Sequence, residues 1–126
     1  MRRLLVLGSF LALAASATAF GATRIYSDAH GGSFPVEPEK VKYTKSQSGA
    51  GEPVTLKNLS WNHWGDEKAE ATGTIKACPT PSSCFTSDAD VTAKRKVRVG
   101  SSSYYTKLAV LFGQNGIKIS LPTPNG

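Results

Sequence analysis

Lys68-Ala69-Glu70-Ala71-Thr72-Gly73-Thr74-Ile75-Lys76-Ala77 is the stretch on which the fold class turns. Every odd position from Ala69 to Ala77 is small or apolar, and every even position is charged or hydroxylic. A helix would scatter the even residues around its circumference, whereas a strand gathers them on one wet face. The small inward side chains require bulk opposite them, and Trp61 and Trp64 are the obvious sources.

The same period of two recurs on both sides of this stretch. Val54 and Leu56 alternate with Thr55 and Lys57, and Trp61 ends that run. Val91, Ala93, Val97 and Val99 alternate with Thr92, Lys94, Lys96 and Arg98. Arg95 falls on the apolar face, so either its stem packs while its head reaches an edge or a bulge shifts the register there. Over residues 103–112, Tyr104, Leu108, Val110 and Phe112 share one face and Tyr105, Ala109 and Leu111 the other, the pattern of a central strand. Gly113-Gln114-Asn115-Gly116 supplies a turn, because Asn-Gly tolerates positive φ at both central positions. Ile117, Ile119 and Leu121 then alternate with Lys118 and Ser120 until Pro122 and Pro124 end the pattern. The expectation is an all-β domain over residues 52–126, a small antiparallel β-sandwich or open barrel of about five to seven strands, with no helix anywhere after residue 19. Residues 20–51 read as an extended Gly/Pro/Ser-rich arm carrying one short strand around 40–44.

Residues 1–19 read as a cleavable secretory signal peptide: Arg2-Arg3, an apolar run from Leu4 to Ala15, then small residues at Ala17 and Ala19. That run has about 12 apolar residues where a spanning helix needs about 20. No cysteine follows it for lipid attachment, and no second apolar segment occurs. A secreted, extracellular product without a transmembrane segment is therefore expected. The 126-residue chain carries 15 basic and 9 acidic side chains, a net charge of +6. Removing Arg2 and Arg3 leaves 13 basic against 9 acidic, a mild +4. The basic residues cluster only at Lys94-Arg95-Lys96-Val97-Arg98, so nucleic acid is not the expected partner.

Cys78 and Cys84 enclose Pro79-Thr80-Pro81-Ser82-Ser83. In an oxidising compartment a disulfide is the expectation, worth about 2 to 2.5 kcal/mol for so short a loop. Metal ligation is the alternative, but neither His30 nor His63 has zinc-type spacing to the cysteines. A redox dithiol is a third, and it favours two intervening residues at a helix start over five in a proline-rich loop.

Trp61-Asn62-His63-Trp64-Gly65, Ala69, Ala71-Thr72-Gly73-Thr74, Cys78…Pro81-Ser82…Cys84 and Tyr104-Tyr105-Thr106-Lys107-Leu108 occur in that order. The order resembles a group of small secreted actinomycete domains with a W-x-x-W-G, a small-residue G-T strand, a C-x-P-S-C-type loop and a Y-x-x-L strand. The similarity spans roughly residues 53–112. It implies an exported β-domain and no particular activity. The chain departs from the group in its longer cysteine loop and in lacking further cysteines.

Three candidate sites follow. His63, Asp66 and Glu67 could hold a divalent ion or act as an acid–base pair in a metal-binding protein or hydrolase; the simpler reading is a polar turn between strands. Trp61 and Trp64 could stack on sugar rings or peptides. Three residues apart on a strand they face opposite ways, which puts one in the core and leaves the other exposed or covering the arm; the simpler reading is that both fill the core. Lys94, Lys96 and Arg98 form a basic stripe suited to an anionic envelope polymer or a phospholipid headgroup; the simpler reading is a solvated edge. No serine-nucleophile motif is present. The leading expectation is a secreted, non-enzymatic β-domain with a binding or envelope-associated role and no cofactor. Its partner would be a protein or a cell-envelope polymer. A secreted inhibitor or toxin displaying the Cys78–Cys84 loop is the remaining alternative.

Overall fold

The computed structural model describes residues 21–124, so the expected signal peptide lies outside the described residues. Seven strands form one sheet: β1 (Thr23–Arg24), β2 (Val41–Tyr43), β3 (Val54–Asn62), β4 (Ala69–Thr80), β5 (Ser83–Val99), β6 (Ser102–Phe112) and β7 (Asn115–Ser120). The order is β1-β6-β5-β4-β3-β2, with β7 also on β6. β1 and β7 divide one edge of β6, β1 at Ser103–Tyr104 and β7 at Lys107–Phe112. The β1–β6 pairing is parallel and every other ladder is antiparallel. The chain is all-β, and of the two layouts expected it adopts the curled open sheet, a half-barrel.

β4 carries the alternation on which the fold class turns. Ala69, Ala71, Ile75 and Ala77 are buried while Lys68, Glu70, Thr72 and Lys76 are exposed. Val54 and Leu56 on β3, Val91 and Ala93 on β5, Leu108 and Val110 on β6, and Ile119 on β7 complete that core face. Each is at most 1% exposed.

Elsewhere the pleat is reset by residues that are not glycine yet have positive φ. Asn58 (φ 56°) forms a bulge in β3, where Lys57 pairs with Thr74 but Ser60 pairs with Thr72. The extra residue moves the inward face from even to odd positions, so Leu59 is buried with Val54 and Leu56. Gly73 lies beneath the bulge, and a Cβ there would meet Lys57 O at 2.7 Å and Leu59 Cδ2 at 2.9 Å. Arg95 (φ 60°) does the same in β5 without an insertion. Lys94 pairs with Lys107 and Lys96 with Tyr105, so the register continues while Arg95 and Thr106 drop out of the ladder. Leu108 and Tyr105, three residues apart, both reach the core because the face changes between them. Of the two expectations for Arg95, neither a packed stem nor a register shift holds: the residue is exposed and the register is kept.

The β6–β7 hairpin forms, but not at Asn-Gly. Phe112 pairs with Asn115, leaving Gly113-Gln114 as a two-residue turn with Gly113 at φ 62°. Glycine in the first central position alone is the II′ arrangement. Asn115 and Gly116 belong to β7.

Residues 21–51 close the curl. β1 pairs with β6, and three residues later the same segment reaches the outer edge of β2. There Asp28 N donates to Lys42 O (2.8 Å) and Lys42 N to Ser27 Oγ (3.0 Å). Tyr43 OH donates to Tyr26 O at 2.7 Å, and Ile25, Val41 and Tyr43 are at most 1% exposed. A single helical turn, α1 (Lys45–Ser48), follows β2, against the expectation of no helix. Thr44 Oγ1 caps it by accepting from Gln47 N, and Gly49 ends it at φ 71°. Gln47 Nε2 then donates to Ser120 O at 2.6 Å, tying the turn to β7. Four polar residues show no apolar period, so nothing marks such a turn in advance.

Candidate functional site

The tryptophans converge instead of facing apart. β3 ends at Asn62, and His63 at φ 63° turns the chain so that Trp64 folds back onto Trp61. The rings meet edge-to-face at 4.8 Å, and Trp64 meets Tyr105 likewise at 5.2 Å. Trp61 Nε1 donates to Pro38 O (2.7 Å) and Trp64 Nε1 to Thr23 O (3.0 Å). Both rings are half-buried against the core. Two perpendicular rings whose polar atoms are already used staple residues 23 and 38 to the barrel.

Tyr105 completes this end of the barrel. Its hydroxyl donates to Asp66 O (2.7 Å) and accepts from Gly65 N (2.9 Å), which fixes the 63–66 turn over the core. Burial pushes its pKa up, opposed by the Gly65 N–H and reinforced by the Asp66 carboxylate. Lys96 Nζ also donates to Gly65 O.

His63, Asp66 and Glu67 all lie exposed on this turn. His63 Nδ1 sits 3.8 Å from Glu70 Oε1, and both side chains are almost two-thirds exposed. Among the described residues no three His, Cys, Asp or Glu side chains gather where they could hold a metal ion. Asp28, in the arm, is engaged structurally: its Oδ1 accepts from Tyr26 OH (2.5 Å) and its Oδ2 from Thr44 N (2.7 Å).

Cys78 and Cys84 form a disulfide across the tip of the β4–β5 hairpin. What reads as a loop is the far end of two long strands, for Thr80 still pairs with Ser83. Their Cα atoms are 4.0 Å apart, and the tip from Thr80 to Thr86 is exposed.

The basic stripe is divided at Arg95. Lys96 reaches Gly65, and Arg98 Nε donates to Gly100 O at 3.4 Å. Lys94 and Arg95 instead line a cavity of about 260 Å³ with Lys107, Leu108, Ala109 and Lys118. The ladders bring them together: Lys94 pairs with Lys107, Lys107 with Ser120, and Ala109 with Lys118. Ser120 Oγ lies 3.4 Å from Lys107 Nζ. None of these four cations has a carboxylate within ion-pair distance among the described residues. Like charges directly opposite in a ladder are destabilising, and an anion between them would relieve that. Lys107 and Lys118 escaped the reading of the sequence because cross-strand register places them. Gly100-Ser101 as a two-residue turn sets Lys94 opposite Lys107 and was the available signal.

No helix among the described residues is long and apolar enough to cross a membrane. No family model, curated protein or solved structure matches the chain.

Proposed function

We propose that the chain is an exported, non-enzymatic binding domain that holds an anionic group of the cell envelope at the outer face of β5, β6 and β7. The observation that carries this reading is the convergence of Lys94, Arg95, Lys107 and Lys118 on one cavity without a carboxylate partner among the described residues. Arg95 supports it further. A non-glycine residue held at φ 60° in mid-strand costs about 1–2 kcal/mol, and such cost gathers at working sites. Arginine supplies a planar fork for phosphate or carboxylate, and the lysines supply mobile point charges. The disulfide is compatible with life outside the cytoplasm.

Isothermal titration of residues 20–126 with inorganic phosphate, pyrophosphate and a glycerol-phosphate polymer tests the reading. Binding should weaken with salt as exposed charges are screened. It should fall about tenfold in Lys94→Gln/Lys107→Gln, by analogy with loss of one or two charge-assisted contacts. Binding that is absent, or indifferent to both salt and that variant, refutes it.

A further inference from the structure

The basic cavity does not stand alone on its face. A second, open cleft of about 500 Å³ adjoins it, lined by Gly49, Ala109, Leu111, Gly116, Ile117 and Lys118, and the two share Ala109 and Lys118. Its lining is apolar apart from Lys118. Leu111 is 60% exposed, the most exposed large hydrophobic residue among those described. Gly116 lets it lie low across β7, since a Cβ at that position would meet Leu111 Cδ2 at 2.9 Å. Asp90 pairs with Leu111 on the opposite side and bounds the apolar strip toward β5. Lys107, Ala109 and Leu111 follow one another on the outer face of β6. The charged and apolar ends are therefore separated by four residues, about 14 Å of strand.

Resting on the anion-binding reading above, we infer that the ligand is a single-chain anionic amphiphile, its headgroup among Lys94, Arg95, Lys107 and Lys118 and its acyl chain along Ala109 and Leu111. Charge complementarity fixes the direction, because only one end of the combined groove is cationic. A membrane surface would instead meet a contiguous apolar patch of several exposed side chains, whereas among the described residues the exposed Leu111 and Val97 of this face are parted by the cations of β5 and β6. Each methylene that leaves water strengthens binding by roughly three- to fourfold, so partial cover of a dodecyl chain yields at least about tenfold over an ethyl one.

The test titrates residues 20–126, with all cysteines oxidised, against inorganic phosphate, ethyl phosphate, dodecyl phosphate below its micellar concentration and dodecyl maltoside. Inorganic and ethyl phosphate should bind alike, dodecyl phosphate at least about tenfold more tightly, and the maltoside should not bind. Leu111→Ser should erase the dodecyl advantage while leaving inorganic phosphate unchanged, which also shows that the variant is folded. If ethyl and dodecyl phosphate bind equally, the anion reading stands and the amphiphile is overturned. If no anion binds, both fall. Equal binding of dodecyl maltoside overturns the headgroup assignment. Binding to anionic vesicles without binding to monomeric dodecyl phosphate overturns the single-chain occupant.

Discussion

Arg95 sits at φ 60° inside a 17-residue strand, four residues before its end, and its replacement by glycine separates what the fold wants there from what the proposed site wants. A side chain in the left-handed region costs about 1–2 kcal/mol, and glycine loses about 0.5–1 kcal/mol of chain entropy when it is ordered. The side chain is exposed, and among the described residues it makes no hydrogen bond that must be subtracted. The bond from Thr106 Oγ1 to Arg95 O (2.7 Å) uses the backbone and survives the substitution. Arg95→Gly should therefore gain between about 0 and 1.5 kcal/mol, which raises Tm by roughly 4–8 °C for each kcal/mol gained in a domain of this size. The same variant should bind phosphate more weakly, having lost one of four cations. Urea unfolding followed by tryptophan fluorescence reads the first effect, at unchanged m-value. Lys94→Gly, one residue earlier and without positive φ, should lose about 0.5–1 kcal/mol. Arg95→Val should also lose stability, because a β-branched residue resists that conformation. If Arg95→Gly destabilises as much as Lys94→Gly does, Arg95 bears no conformational cost and the reasoning from it fails.

Gly73→Ala should cost about 1–3 kcal/mol, since its Cβ would press on Lys57 O and Leu59 in the bulge; a variant unfolding at the parental urea midpoint contradicts this. Trp61→Phe and Trp64→Phe each keep a ring but lose an indole bond to Pro38 O or Thr23 O. Each should cost about 1 kcal/mol and raise amide exchange in residues 23–39 more than in β4; uniform exchange would show that the rings staple nothing. Alkali should unfold the domain. The pKa of Tyr43 is raised, first by burial and then by Asp28, that of Tyr26 first by its hydrogen bond to Asp28, and that of Tyr105 first by burial. A raised phenol contributes stability that is intact below the unfolded value near 10 and is lost as pH rises, because the unfolded chain releases a proton the fold retains. Tyr43 alone then removes about 1.4 kcal/mol per pH unit above about pH 10. Tyr43→Phe should flatten that fall, and a steady stability through about pH 11 in the parent protein would refute the assignment.

Alternation was legible wherever the pleat runs unbroken, and the β4 pattern alone identified the class. It failed at Asn58 and His63, because a polar residue in the left-handed region carries no local mark such as glycine does; Arg95 was marked by falling on the apolar face, but its left-handed backbone was not legible. Each of the three resets which face is inward. Hence the tryptophans meet, Tyr105 and Leu108 share a core, and Lys96 parts from Lys94. The turn at Gly113-Gln114 shows how register carries chemistry. Had Asn115-Gly116 been the turn, every pairing on β7 would move by four residues, and Lys118 would leave Ala109 and the basic cavity. The closing contacts of residues 21–51 run through backbone groups and the buried Ser27 and Ser48, which no apolar pattern reveals.

The central claim is that an anion rests among Lys94, Arg95, Lys107 and Lys118. Its most direct test is a residue-resolved amide NMR titration of the mature domain with pyrophosphate. The account predicts saturable shifts confined to residues 94–95, 107–109 and 118–120, absent in Lys107→Gln/Lys118→Gln. Shifts centred on Lys96 and Arg98, or on the His63–Glu67 turn, would contradict it, as would no shift at all.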